Sequence, residues 1–439
     1  MPLRDRIADH RLPNGLRVVA VEDRAAPVTA VNLWYDVGSR HEPADRTGFA
    51  HLFEHLMFQG SRNVAPAEHF SYVQGVGGTL NGTTSFDRTN YFETVPSHAL
   101  ELALWLEADR MGTLLDALTQ ENLDNQRDVV KNERRQRYDN VPYGTAWERL
   151  FALAFPEGHP YHHLPIGSME HLDAASLEDV RSFFTTWYAP DNATLTIVGD
   201  RPTAESIAAA EAAFGWIPRG GPRPVPPSGF IGPLESEQRV TVDDEDIPAE
   251  SVYTVYRIPA DGTPECDAVE VALAVLGEGS SSWMASQLVR HDQLAQSVQT
   301  GVQRLVGGAS LGLVIGRARS GVELSWLEAG IDAQIARLAA DGPDAAPLER
   351  AKALLERHYL DSVSTAEGLA DEINRHATLF GDPGGVDDVL TRWAAVTPEQ
   401  VQAVTAELLV PTNRAVVAYR FPAEPPIEAA AGLDVEEVA

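Results

Sequence analysis

SLEDVRSFFTTWYAPDNATLTIVGD, residues 176–200, carries the pattern that decides the fold, because TPEQVQAVTAELLVPTNRAVVAYRF, residues 397–421, repeats it without a gap. In each stretch a Ser or Thr opens an amphipathic helix, a Pro stops it, an Asn follows, and an alternating apolar strand comes next. Pro190 aligns with Pro411 and Asn192 with Asn413. The chain therefore reads as two copies of one domain, at a period far longer than that of a solenoid repeat.

Between the copies lies WIPRGGPRPVPPSGFIGPLES, residues 216–236, dense in Pro and Gly and without apolar periodicity. Such a segment reads as a semi-rigid linker. The expected division is a first domain over 1–217, a linker over 218–236, a second domain over 237–430 and a tail over 431–439. A chain of 439 residues is long enough for two cores. Strand-like runs at Leu16–Val21, Thr29–Tyr35, Val252–Tyr256 and Ala415–Tyr419 are rich in β-branched and aromatic residues. Helical patterns fall near 98–115, 119–138, 265–276, 323–340 and 345–361. This mixture, with hairpin-like starts, predicts α+β layers rather than a doubly wound parallel sheet.

Composition excludes several functions. A formal net charge of −30 argues against nucleic acid, whose phosphates would be repelled. No run approaches the roughly 20 apolar residues that span a bilayer. The start, MPLRDRIADHRLPNG, has no apolar signal core, which predicts a cytoplasmic protein, or a periplasmic one if a signal has been removed. Cys266 is the single cysteine, so a thiolate metal cluster is out of reach and a small apolar filler is the expected role.

TGFAHLFEHLMFQGS, residues 47–61, carries the chemistry. Phe49, Leu52, Phe53 and Leu56 recur at helical spacing, with Thr47 a possible cap and Gly60 a possible stop. His51, Glu54 and His55 then share another face. Two imidazoles one turn apart can bind one Zn²⁺, and the carboxylate between them can take a proton from a water in the open position. H-x-x-E-H is the signature of the inverzincins. A solvated helix face with an internal His–Glu pair is the plainer alternative.

A catalytic zinc needs a third protein ligand. TQENLDNQRDVVKNERRQRYDN, residues 119–140, supplies a candidate. With Thr119 as cap, Gln126, Val130 and Glu133 fall on one inward stripe, and a carboxylate on such a stripe needs a partner.

These segments resemble the pitrilysin-like (M16) metallopeptidases, in particular the short two-domain type that includes mitochondrial processing peptidase subunits. The resemblance runs through LPNGLRVVAVED, HLFEH, LNGTTSFDRTNYF, DVVKNERRQR and HPYHHLPIGS to the two repeated ends. It implies two homologous α/β-sandwich domains, each a mixed sheet plus helices, facing each other across a chamber. It also implies zinc held by His51, His55 and Glu133, with Glu54 as general base. A peptide substrate is then expected to add as a strand beside Asn81 and Gly82, although Asn-Gly is also a strong hairpin-turn signal.

The chain departs from the family pattern in two places. Gln126 stands where the family has a second Glu, so it can hydrogen-bond near the metal but adds no charge. In LVRHDQLAQSV, residues 288–298, Val289 and Gln296 stand where active members carry an Arg and a Tyr that stabilise the oxyanion. Arg290 is one residue off and points about 100° away on a helix. The resemblance thus implies an endopeptidase subunit for short or unfolded peptides that pairs with a related subunit supplying the Arg and Tyr. A self-sufficient homodimer is one alternative, and a non-catalytic structural or peptide-binding core subunit is another. His159, His162 and His163 read as structural loop residues.

Overall fold

The computed structural model describes residues 2–226 and 228–422; the expected tail over 431–439 lies outside them. Among the described residues, eleven strands form two sheets. The first contains β1 (Ile7–Arg11), β2 (Arg17–Glu22), β3 (Val28–Tyr35), β4 (Thr79–Thr84), β5 (Thr89–Pro96) and β6 (Ala193–Gly199). The second contains β7 (Gln238–Asp243), β8 (Ser251–Ile258), β9 (Ala295–Gln303), β10 (Ser310–Ala318) and β11 (Arg414–Arg420).

The first sheet runs β1-β2-β6-β3-β5-β4 and the second β7-β11-β8-β10-β9. Removing β1 leaves the same order in both. In each, one pair is parallel, β2 with β6 and β7 with β11, and the remaining neighbours are antiparallel. The architecture is α+β with two homologous halves.

Helices of the first half are α1 (Phe49–Leu56), α2 (Glu68–Gly75), α3 (Leu100–Ala117), α4 (Gln120–Arg134), α5 (Ala146–Ala154), α6 (Met169–Ala174), α7 (Leu177–Trp187) and α8 (Thr203–Phe214). Those of the second are α9 (Pro264–Gly277), α10 (Leu324–Asp341), α11 (Ala345–Ser362), α12 (Ala366–Leu379), α13 (Val389–Ala395) and α14 (Pro398–Leu408). Among the described residues no helix is long and apolar enough to cross a membrane.

The repeated ends fold alike for a visible reason. Ser176 and Thr397 each cap their helix through a reciprocal capping box, an arrangement worth about 1 kcal/mol. Asn192 Nδ2 donates to the Trp187 carbonyl at 2.9 Å and to the Asp36 carbonyl at 3.2 Å. Asn413 Nδ2 does the same with Leu408 and Arg257, both at 2.8 Å. One side-chain amide, half-buried at Asn192 and buried at Asn413, therefore ties helix end to sheet in each half.

Packing crosses the expected boundary. α5 precedes the linker yet packs on β11, β8 and β7 of the second sheet, while α12 follows it and packs on β6, β3 and β5 of the first. Ala370, Ile373 and Ala377 of α12 sit among Val19, Val21, Ala30 and Val198. Asn374 bonds the Asn32 carbonyl and Thr196, both at 2.7 Å. Asp371 Oδ1 accepts from Asn32, Trp34 and Asn90. The exchange satisfies polar groups as well as apolar faces, so it is specific rather than merely greasy.

Candidate metal centre

α1 has the apolar stripe read from its sequence, with Phe49, Leu52, Phe53 and Leu56 all buried. Its start differs from expectation. The N-cap is Gly48, in the left-handed region at φ 93°, and Thr47 turns its hydroxyl to His171 Nδ1 instead, at 2.8 Å. The helix ends at Leu56, four residues before Gly60, because the chain already turns there through Met57.

Glu42, from the preceding loop, occupies the capping role. Its Oε2 accepts the Gly48 N–H at 2.9 Å and its Oε1 the Ala50 N–H at 2.7 Å. α4 is capped by Thr119, whose hydroxyl accepts from Asn122 N in a capping box. These two helices pack against each other.

The packing brings His51, His55 and Glu133 together. Glu133 Oε2 lies 3.5 Å from His51 Nε2 and 3.3 Å from His55 Nε2. Tetrahedral ligands at 2.0–2.1 Å from zinc are separated by about 3.3–3.4 Å from one another. The donor set, two imidazole nitrogens and one carboxylate oxygen, therefore fits a divalent zinc ion in type and spacing. Arg137 Nη1 engages the other oxygen of Glu133 at 2.7 Å, turning Oε2 toward the histidines.

Burial, with the neighbouring His55 adding to it, lowers the His51 pKa to about 4. Its contact with Glu133 is thus not an ion pair at neutral pH; the ring is the neutral imidazole that metals take as a ligand. Hydrogen bonding to His55 lowers the Glu133 pKa and keeps it ionised. Among the described residues, His51 Nδ1 is buried without a hydrogen-bond partner.

Glu54 lies on the same helix. Thr84 donates to its Oε2 at 2.6 Å, and burial raises its carboxyl pKa against that hydrogen bond. β4 is one of the two edge strands of the first sheet, opposite β1. A Cβ at Gly82 would stand 3.2 Å from Glu54 Cγ, Phe58 Cε2 and Tyr91 Cδ1, so the backbone passes close beside the carboxylate. Asn81 and Gly82 lie inside β4, not in a hairpin turn; the turn falls at 85–88, where Ser85 N bonds the Arg88 carbonyl. Asn81 uses its side-chain oxygen to accept the Gly82 N–H at 2.9 Å. Gln126 is buried on α4, two turns before Glu133.

Val289 and Gln296 are in the second half, lining a cavity of about 700 Å³ beside β9. The three loop histidines are each engaged: His159 with the Gly229 carbonyl, His162 with the Phe155 carbonyl and His163 with Glu42. Sequence reasoning missed Glu42 and Thr84 and read His163 as a structural loop residue; an acidic residue shortly before a helix start was the one signal available for Glu42.

A second group, His69, Glu93 and Glu107, also gathers three possible ligand atoms. There the cation is already supplied. Arg110 forms a bidentate pair with Glu107 inside the core and stacks over Tyr91, 4.2 Å from its centroid. Burial pushes Glu107 up to about 8 despite Arg110, and lowers His69 to about 3. A buried guanidinium in contact with the ligands repels a divalent ion, so this cluster is a polar core element.

Residues 17–157 match the family model described as Insulinase (Peptidase family M16), and residues 174–355 match the model described as Peptidase M16 inactive domain. A relative named zinc protease PqqE, from Helicobacter pylori, is 31% identical over 82% of this chain and 80% of its own length. The mitochondrial-processing peptidase subunit beta of Blastocladiella emersonii is 25% identical over 93% of this chain and 87% of its own. The crystal structure of a protease from Helicobacter pylori superposes with a TM-score of 0.89 at 28% identity, covering 96% of this chain and all of that one.

Proposed function

The chain belongs to peptidase family M16, and on that premise we propose that it is a zinc-dependent endopeptidase subunit acting on short or unfolded peptides. The observation that carries the reading is the convergence of His51, His55 and Glu133 with the Glu54 carboxylate, beside the free edge of β4. His51, His55 and Glu133 would hold the zinc. When bound, that ion lowers the pKa of water and polarises a carbonyl. Glu54 takes the proton from the attacking water and returns it to the leaving amine. Thr84 aims the carboxylate by its hydrogen bond to Oε2. The open edge of β4 pairs with an extended peptide through backbone hydrogen bonds, making few side-chain demands.

Val289 and Gln296 offer no cationic or phenolic group to a developing oxyanion, which supports pairing with a related subunit that carries an Arg and a Tyr. The same two residues favour a second reading, a non-catalytic core subunit that binds peptides. Against it stands Glu54, a buried carboxylate that a scaffold does not need. The test is zinc content together with cleavage of an unfolded peptide, by the chain alone and with its related subunit, using Glu54→Gln as the control. Stoichiometric zinc without cleavage in any assembly would favour the scaffold.

A further inference from the structure

α1 is eight residues long, and its first turn leaves backbone N–H groups without helical partners. Neither Gly48 nor Thr47 supplies a side-chain cap. Glu42 does so with both oxygens, taking the N–H groups of Gly48 and Ala50. Its side chain is wholly buried, and His163 Nε2 donates to its Oε2 at 2.9 Å. Ala50 immediately precedes His51, so this contact fixes the backbone at the first proposed ligand.

The carboxylate also lies at the positive end of the helix dipole. Burial raises its pKa, and the hydrogen bonds from His163, Ala50 and Gly48 oppose that rise. The loop bearing His163 is itself braced, since Tyr161 OH donates to Asp87 at 2.6 Å and accepts the Gly307 N–H at 2.7 Å. Gly307 belongs to the second half, so the brace spans both halves.

We infer that Glu42, held by His163, is a positioning residue that clamps the start of α1 and so sets the placement of His51 and His55 for metal. The inference rests on the zinc reading of the centre and reaches beyond it to residues 121 positions apart in sequence. Glu42→Gln keeps the size but turns an N–H₂ group toward one of the two N–H donors. His163→Ala removes the brace and leaves Glu42 in place. His163→Gln retains a side-chain N–H donor.

The experiment uses the full chain. Zn²⁺ affinity is measured by chelator competition, Co²⁺ coordination by visible absorption, and amide exchange across 48–56 on the metal-free protein. Leu338→Ala, a buried change in the second half, serves as a control for general destabilisation. Expected are a loss of Zn²⁺ affinity of about 10–100-fold in Glu42→Gln and His163→Ala, the range for residues that orient metal ligands. An altered Co²⁺ spectrum and faster exchange over 48–56 should accompany it. His163→Gln should recover most of the affinity, and Leu338→Ala should lower the melting temperature alone. Wild-type affinity in Glu42→Gln and His163→Ala, with only their melting temperature reduced, would overturn the positioning role. A wild-type chain that takes up no zinc sinks the zinc reading instead, and unchanged exchange over 48–56 in both variants would then reject the clamp on its own.

Discussion

Thr84 donates its hydroxyl to Glu54 Oε2 at 2.6 Å, joining the outer strand of the first sheet to the helix that carries both histidines. Strand and helix are therefore registered to each other by one side-chain bond. On the proposed reading, a peptide laid along β4 would meet a carboxylate held by that bond.

Glu54→Gln should fold and retain metal while turnover of an unfolded peptide falls about 10²–10⁴-fold, the usual worth of a positioned general base. Gln preserves shape and can still accept from Thr84, but it cannot take the proton. Turnover close to wild type would assign the base to another group.

Glu133→Ala should lose stoichiometric zinc, since two imidazoles one turn apart are left without their third ligand. Elemental analysis of protein purified without added metal checks this. Retention of one zinc per chain in the variant would remove Glu133 from the ligand set.

The chain alone, zinc-loaded, should hydrolyse peptides weakly. Each missing oxyanion donor typically costs about 10²–10³ in turnover, and neither Val289 nor Gln296 can act as one. Adding a related subunit with Arg and Tyr at those positions should restore the rate. Full activity of the pure chain, unchanged by any partner, would favour a self-sufficient homodimer.

His41 predicts an acid-sensitive fold. Gly38 N donates to His41 Nδ1 at 3.0 Å, which requires the unprotonated ring, and burial together with Arg40 lowers its pKa to about 3. The unfolded chain takes up a proton near the ordinary value of 6.5, the folded chain only near 3. Stability is therefore whole above pH 6.5 and drains by about 1.4 kcal/mol per unit as pH falls toward 3. His41→Asn keeps an acceptor for Gly38 without titrating. Urea denaturation at pH 6 and pH 4 should show the wild type losing about 2–3 kcal/mol more than this variant.

Arg110→Met should destabilise the fold by roughly 3–5 kcal/mol, because Glu107 is left buried beside Glu93 without its cation. Arg110→Met combined with Glu107→Leu should recover most of that loss. Equal denaturation midpoints for wild type and the single variant would show that the pair contributes little.

Local periodicity made much of this legible. The stripe of α1, the capped stripe of α4 and the matched ends at Ser176 and Thr397 all declare themselves within a few turns of helix. Contacts between distant segments did not. His163 and Glu42 meet across loops, where no spacing rule applies, and Thr84 reaches Glu54 only after β4 has docked. Asn81-Gly82 has the chemistry of a turn, but β4 pairs with β5 from Thr79 to Thr84, which carries the dipeptide into the strand and moves the turn to 85–88. α5 and α12 fall outside the helical patterns read from the sequence, and no local period names the sheet that buries a helix.

That exchange of α5 and α12 sets a timetable for synthesis. Ala366 lies 167 residues beyond Gly199, the last strand residue of the first sheet. At about 5–20 residues per second, the ribosome takes roughly 8–33 s to bridge that interval. Throughout it, Val19, Val21, Ala30 and Val198 wait without their covering helix. The packing of the first sheet thus stays incomplete until most of the chain has been made, because its covering helix comes from the second half.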